Sequence, residues 1–264
     1  MSKFSLILIP LVLLIACQKG KIKGSKENDP AESQILTSSK NKDVLSAEEM
    51  KNGFEPMFDG QTKSGWHVYN NQSDGAAWEI KEGALFLNAQ EIKITPVLGA
   101  GDLTQAIGGG DLASDEEYDN FHLKMDWKIS ESGNSGIILF VKESEANAYP
   151  WQTGPEIQII DTEKECKPKF CPGDLYALEA GPDNRQLFKE WNQMEVISYN
   201  GKLEVILNSQ SLYKIVLWDD KWRETIAKTK FTYWPEFATF QKGKIVLQDH
   251  GHNVWYRNIR IKKL

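Results

Sequence analysis

The chain has 264 residues, of which 41% are hydrophobic and 26% charged, a composition that excludes a mainly disordered or fibrous protein. It carries 31 Lys and Arg against 37 Asp and Glu, and a net charge of −6 leaves no basic surplus to neutralise phosphates, so the composition argues against a nucleic-acid partner. Nine Trp, eight Tyr and eleven Phe favour strands and supply platforms for flat ligand faces such as sugar rings.

Lys3 precedes an apolar stretch over residues 4–16, interrupted only by Ser5 and Pro10. The stretch is too short to cross a bilayer as a helix and has the length of a signal-peptide core. It ends Leu14-Ile15-Ala16-Cys17, which resembles the bacterial lipobox, where cleavage leaves a lipid-modified Cys17 at the new N-terminus. An ordinary signal peptide with an incidental cysteine is the alternative. Residues 17–45 contain no aromatic side chain and are rich in Lys, Ser, Asn and Glu, so they cannot bury a core and read as a flexible tether. The expected placement is the bacterial cell envelope, on the periplasmic or outer-membrane surface, with the lipid anchor as the sole membrane contact.

The folded body is expected over residues 46–264. Ser46-Ala47-Glu48-Glu49 has capping-box spacing and predicts a short opening helix. Residues 78–80 and 84–88 flank Gly83 as a hairpin. Phe121, Leu123, Met125, Trp127 and Ile129 alternate with His122, Lys124, Asp126 and Lys128, the pattern of a half-buried strand. Gly133-Asn134-Ser135-Gly136 reads as a turn leading into the continuously apolar residues 137–141. Residues 191–199 and 202–207 flank Asn200-Gly201, a strong type I′ hairpin signal. A helix is predicted over 221–227, where Trp222 and Ile226 share a face. Residues 244–248 and 253–261 are expected to pair across the turn Asp249-His250-Gly251-His252. Many short strands, few helices and no βαβ pattern predict one all-β, two-sheet sandwich.

Several residues carry candidate chemistry. Cys166 and Cys171 are expected to form a local disulfide in an oxidising compartment; zinc binding would need a second ligand pair. His250 stands in a tight turn beside Asp249, and a carboxylate can orient an imidazole for general-base work. If Ile157 and Ile159 face the core, Glu156 and Gln158 project together from the other face of their strand. Asp161 joins them only if a bulge near Ile160 restores its direction. Arg257 shares strand parity with Trp255, Ile259 and Ile261, and a charge on an apolar stripe needs a partner or a ligand oxygen.

At residues 156–161, at Trp191-Asn192, and at Leu247-Gln248-Asp249-His250-Gly251 followed by Tyr256-Arg257-Asn258-Ile259, the chain resembles a known family. These are the DUF1080 proteins, the 3-keto-disaccharide hydrolase domain. The likeness runs over nearly all of residues 53–264, including Phe58-Asp59-Gly60, Tyr118-Asp119-Asn120-Phe121 and Gly133-Asn134-Ser135-Gly136. Phe140 stands where many members carry Arg, Asn208-Ser209 replaces the usual Asn-Gly, and the Cys166–Cys171 loop replaces a His- and Asn-rich segment. The resemblance implies a concanavalin-like jelly roll, exported lipoproteins for many members, and action on glycosides oxidised at C3.

A ketone at C3 acidifies the C2 proton, so a base can remove it while the C1 substituent leaves and water then adds. On this reading His250 is the base, Asp249 orients it, Glu156 is the acid, and Gln248 with Arg257 stabilises the enolate. Gln158, Asp161, Asn134, Tyr176 and Trp191 are the further candidates for substrate contact. A divalent metal shared by Glu156 and His250 is an alternative way to polarise the ketone. A sugar 3-oxidoreductase is the implied functional partner. Two other readings stand beside it. Glu156-x-Gln158-x-x-Asp161 resembles the E-x-D-x-x-E strand of laminarinase-like retaining glycosidases, and a non-catalytic carbohydrate-binding module would need the aromatics alone. Glu156, Gln158, Gln248, Asp249, His250 and Arg257 are expected to converge on one concave pocket.

Overall fold

The computed structural model describes residues 45–71, 73–96, 104–161 and 166–264. The signal peptide, Cys17 and the tether as far as residue 44 lie outside the described residues. The capping box forms: Ser46 Oγ accepts from Glu49 N (3.2 Å) and Glu49 Oε2 accepts from Ser46 N (3.1 Å), opening helix α1 (Ala47–Lys51). The strands in chain order are β1 (Glu55–Pro56), β2 (Trp66–Val68), β3 (Trp78–Lys81), β4 (Ala84–Leu87), β5 (Lys93–Pro96), β6 (Thr104–Ile107), β7 (Leu112–Ser114) and β8 (Phe121–Ile129). They continue with β9 (Asn134–Val141), β10 (Glu156–Ile160), β11 (Asn192–Tyr199), β12 (Lys202–Leu207), β13 (Gln210–Val216), β14 (Lys244–Leu247) and β15 (Val254–Lys263). Helix α2 (Asp220–Ala227) lies between β13 and β14, and Asp219 caps it through Trp222 N.

Two antiparallel sheets pack face to face. The larger runs β13-β12-β11-β8-β15-β4-β3, with β1 alongside β15; the smaller runs β10-β9-β14-β7-β2. A ribbon of β5 and β6 stands apart from both. The period of two along β8 turns Phe121, Leu123, Met125 and Trp127 inward, against Ile137, Leu139, Ile157, Ile159, Ile245 and Leu247 of the smaller sheet. Tyr256 also crosses the core, its hydroxyl 2.8 Å from Ser135 Oγ, which itself donates to Gln248 O at 2.6 Å. The expected all-β sandwich is therefore the observed fold.

Three local expectations are corrected. Residues 244–247 and 254–263 do not pair with each other: β14 lies between β9 and β7, whereas β15 lies between β8 and β4. The turn at 248–253 is thus a crossing from one sheet to the other. Asn134, Ser135 and Gly136 form the first residues of β9 rather than a turn, because each is paired in register with β10. In β15 the register shifts between Arg257 and Arg260, where Asn258 has φ 51°. That bulge reverses the parity, so Ile259 and Ile261 face the core with Val254 and Tyr256, while Trp255 and Arg257 face outward.

The departures from the family pattern are accommodated locally. Phe140 has φ 57° and turns into the core against Phe121 (5.9 Å) and Trp218 (5.3 Å), so it fills core volume at this departure from the resembled pattern. Asn208 (φ 48°) and Ser209 (φ 66°) both take the left-handed conformation that the β12–β13 turn requires. The Cys166–Cys171 disulfide is present, with the two Cα atoms 5.2 Å apart.

Candidate active site

The outward face of the smaller sheet is built by strand parity. Ile157 and Ile159 are fully buried in the core, so Glu156 and Gln158 turn to the opposite face of β10. Gln158 pairs in register with Gly136 of β9, and a Cβ on Gly136 would stand 2.6 Å from Glu156 Oε1. Glycine there leaves the space that the Glu156 side chain occupies. From β14 the chain continues as Gln248, whose N–H donates to Gly136 O at 2.9 Å. The three strands thus present Asn134, Glu156, Gln158 and Gln248 side by side.

These residues floor an open pocket of about 170 Å³. Trp151, Gly154, Tyr176, Lys230, Phe231 and His250 complete its lining. Gln158 Nε2 donates to Asn134 Oδ1 (2.5 Å), and Gln248 Nε2 donates to Glu156 Oε2 (3.2 Å). Gln248 Oε1 is buried without a hydrogen-bond partner among the described residues. Tyr176 is carried by the segment after the disulfide, which pairs with β10: Tyr176 N donates to Glu156 O at 2.8 Å. Lys230 reaches across the wall, its Nζ 3.4 Å from Tyr176 Oη and 4.8 Å from the centre of that ring.

Burial pushes the Glu156 carboxyl up to about 8, and the nearby Asp111 charge adds to this. The hydrogen bond from Gln248 and the Lys230 ammonium pull the other way but do not overcome it. Glu156 is therefore protonated at neutral pH and able to donate. Behind the Asp249 turn, burial likewise raises Asp111 to about 7, opposed by the N–H of Asp249 and assisted by its carboxylate. His250 is exposed at the pocket's edge and stacks with His252 at 5.9 Å and 16°.

Six of the sequence-derived candidates meet here: Glu156, Gln158, Gln248, His250, Asn134 and Tyr176. Four do not. Asp249 does not orient the imidazole; its oxygens accept from Gly110 N (2.7 Å) and Gly251 N (2.8 Å), so it fixes the turn instead. Asp161 accepts from Ser132 N at 2.7 Å and caps the loop before β9. Arg257, ahead of the bulge at Asn258, lies on the outward face of the larger sheet, and Trp191, just before β11, lies against it. There the guanidinium stacks 3.8 Å from the Trp191 ring and pairs with Asp126 Oδ2 at 3.3 Å. Lys230, Trp151 and Phe231 were not identifiable from sequence, since they sit in loops without periodicity.

Among the described residues no three His, Cys, Asp or Glu side chains are grouped as metal ligands. The pocket offers one buried carboxyl, several carboxamides and one exposed imidazole, and the chemistry proposed for them uses no metal.

A family model described as the 3-keto-alpha-glucoside-1,2-lyase-like domain matches residues 53–262. The chain belongs to this family. A 3-keto-disaccharide hydrolase of Bacteroides thetaiotaomicron is 28% identical, across 96% of this chain and 94% of that protein. A "putative glycosyl hydrolase" from Parabacteroides distasonis has a similar crystal structure, with TM-score 0.71 and 28% identity over 84% of this chain and 99% of its own. A second from the same organism gives TM-score 0.54 at 21% identity, covering 80% and 99% respectively, and shares the fold. Membership of the 3-keto-alpha-glucoside-1,2-lyase-like family places the protein among enzymes that cleave glycosides.

Proposed function

We propose that the protein cleaves 3-keto-glycosides by elimination followed by hydration. The observation that carries this reading is the charge inventory of the pocket. Among its described lining residues Glu156 is the one carboxyl, and it is protonated at neutral pH. A retaining glycosidase needs two carboxyl groups about 5–5.5 Å apart, and Asp161 stands elsewhere. One acid, one imidazole and one ammonium suit a different reaction.

In that reaction His250 accepts the C2 proton, and the electron pair becomes an enolate at the C3 oxygen. Lys230 takes the role that the sequence gives to Arg257, because its ammonium lies in the pocket wall and can hold the developing negative charge. The enolate collapses, the C1–O bond breaks, and Glu156 protonates the departing oxygen. This leaves a 1,2-ene conjugated to the C3 ketone. Water adds at C1 and C2 is reprotonated, giving the free 3-keto-sugar and an alcohol. Gln158, Asn134 and Gln248 offer carboxamide partners for the ring hydroxyls. The substrate must come from oxidation of a sugar at C3, so a sugar 3-oxidoreductase is the functional partner. The anchored placement through Cys17 belongs to the same proposal.

The test is incubation of purified protein with a 3-keto-glucoside and with its unoxidised parent. Release of the alcohol from the keto form alone supports the reading. Equal cleavage of the parent overturns elimination in favour of direct glycoside hydrolysis, and binding without product makes the protein a carbohydrate-binding module.

A further inference from the structure

The aromatic wall does not stop at the mouth of the pocket. Tyr149 stacks on Trp151 at 5.4 Å and 10°, and Trp234 meets Trp151 edge-on at 4.7 Å and 89°. Tyr233 lies beside Trp234 at 6.3 Å. Tyr149 is 51% and Tyr233 81% exposed, so two large rings stand in water next to a pocket already lined by Trp151 and Phe231. Isolated exposed aromatics are ordinary; a connected row leading out of a ligand pocket is not.

The row is also held in place. It is carried by two loops joined to each other twice: Asn147 Nδ2 donates to Glu236 Oε2 and Ala238 N donates to Thr153 O, both at 2.7 Å. Tyr149 N donates to Gln152 Oε1 at 2.7 Å, which fixes the turn that presents its ring. A surface ordered before its ligand arrives loses little entropy on binding. Among the described residues no cation caps any of the four rings in the way that Arg257 and Lys128 cap Trp191. Their faces suit an uncharged ring.

We propose that Tyr149, Trp151, Tyr233 and Trp234 form the leaving-group subsite, and that it takes a second ring with an apolar face attached at C1: a pyranose or an aryl group. This rests on the reading of the adjoining pocket as the site of the reacting sugar. The polar floor then recognises the oxidised sugar by its oxygens, and the shelf recognises the departing group by its flat face.

The experiment compares the wild type with a Tyr149→Ala/Tyr233→Ala double variant. Both side chains are exposed, so the fold should persist. The substrates are the 3-keto forms of methyl glucoside, phenyl glucoside and a glucose disaccharide. The subsite predicts that the kcat/KM ratio of the phenyl or disaccharide substrate to the methyl one falls about tenfold in the variant, as loss of ring stacking implies. The substrate with the larger fall identifies which ring the shelf prefers. An unchanged ratio for both overturns the proposal. Calorimetric binding of unoxidised phenyl glucoside, a glucose disaccharide and methyl glucoside separates the two claims. If no 3-keto substrate turns over but the phenyl glucoside or the disaccharide binds more tightly than the methyl glucoside, and only with both tyrosines present, the reaction reading fails and the shelf stands. Equal affinities for all three overturn the shelf.

Discussion

Glu156 is where the site is most costly to the fold. Its ordinary value of 4.5 rises to about 8 in the folded protein, so the sign of its pH dependence follows. Below about 4.5 it is protonated in both states and costs nothing. Between about 4.5 and 8 the unfolded chain ionises and the folded one resists, so stability falls as pH rises through that window. Glu156→Gln should therefore raise the melting temperature at pH 8, by the equivalent of about 1–2 kcal/mol, and the gain should vanish towards pH 4. In turnover, the wild type should lose activity as pH rises through about 8, where the acid is spent; a flat profile there removes Glu156 as the acid. Arg257 makes the opposite case. Arg257→Ala should lower stability by about 1 kcal/mol, since Asp126 keeps Asn258 as a partner, and should change kcat/KM on a 3-keto-glucoside less than about twofold. The Glu156–Gln158 pair was legible because alternation fixes which face a strand residue takes. The Asp249–His250 pair was not, because adjacent residues in a turn point apart and the carboxylate found backbone N–H groups first.

At the level of elements, the strands were visible through their period of two and the hairpins through Gly83 and Asn200-Gly201. Pairing between distant strands was not. Nothing in residues 244–261 marks the turn as a crossing between sheets, because each strand alone reads the same in either arrangement. The bulge at Asn258 was hidden for a related reason: one residue in a left-handed conformation leaves composition unchanged yet sets Arg257 on the opposite face from Ile259 and Ile261. The same sensitivity makes Gly136 a test of the site. Gly136→Ala places a methyl group within 2.6–2.8 Å of Oε1, Cγ and Cδ of Glu156, so that side chain must swing to another rotamer, and the fold should survive at a cost of about 1–3 kcal/mol. The displaced carboxyl should lower turnover about 10- to 100-fold. Full activity would mean that the position of Glu156 does not matter to the reaction.

Over the whole molecule, the fold and family were legible because the motifs are spread along residues 53–264, and the match at residues 53–262 covers the same stretch. Three of the pocket's lining residues were not, because Trp151, Lys230 and Phe231 come from loops that only the closed sandwich brings over β10. The anchoring reading makes its own prediction at this scale. Cys17→Ala should release the protein from the membrane fraction, and unchanged membrane fractionation would count against the lipobox. The central claim, however, is removal of the C2 proton. It is tested most directly by running the reaction on a 3-keto-glucoside in deuterium oxide and reading the C2 position by mass spectrometry and NMR, with His250→Ala alongside. Abstraction by His250 puts deuterium at C2 of the product and costs the folded variant about 10²–10⁴-fold in turnover. Product that retains its original hydrogen at C2 would contradict it.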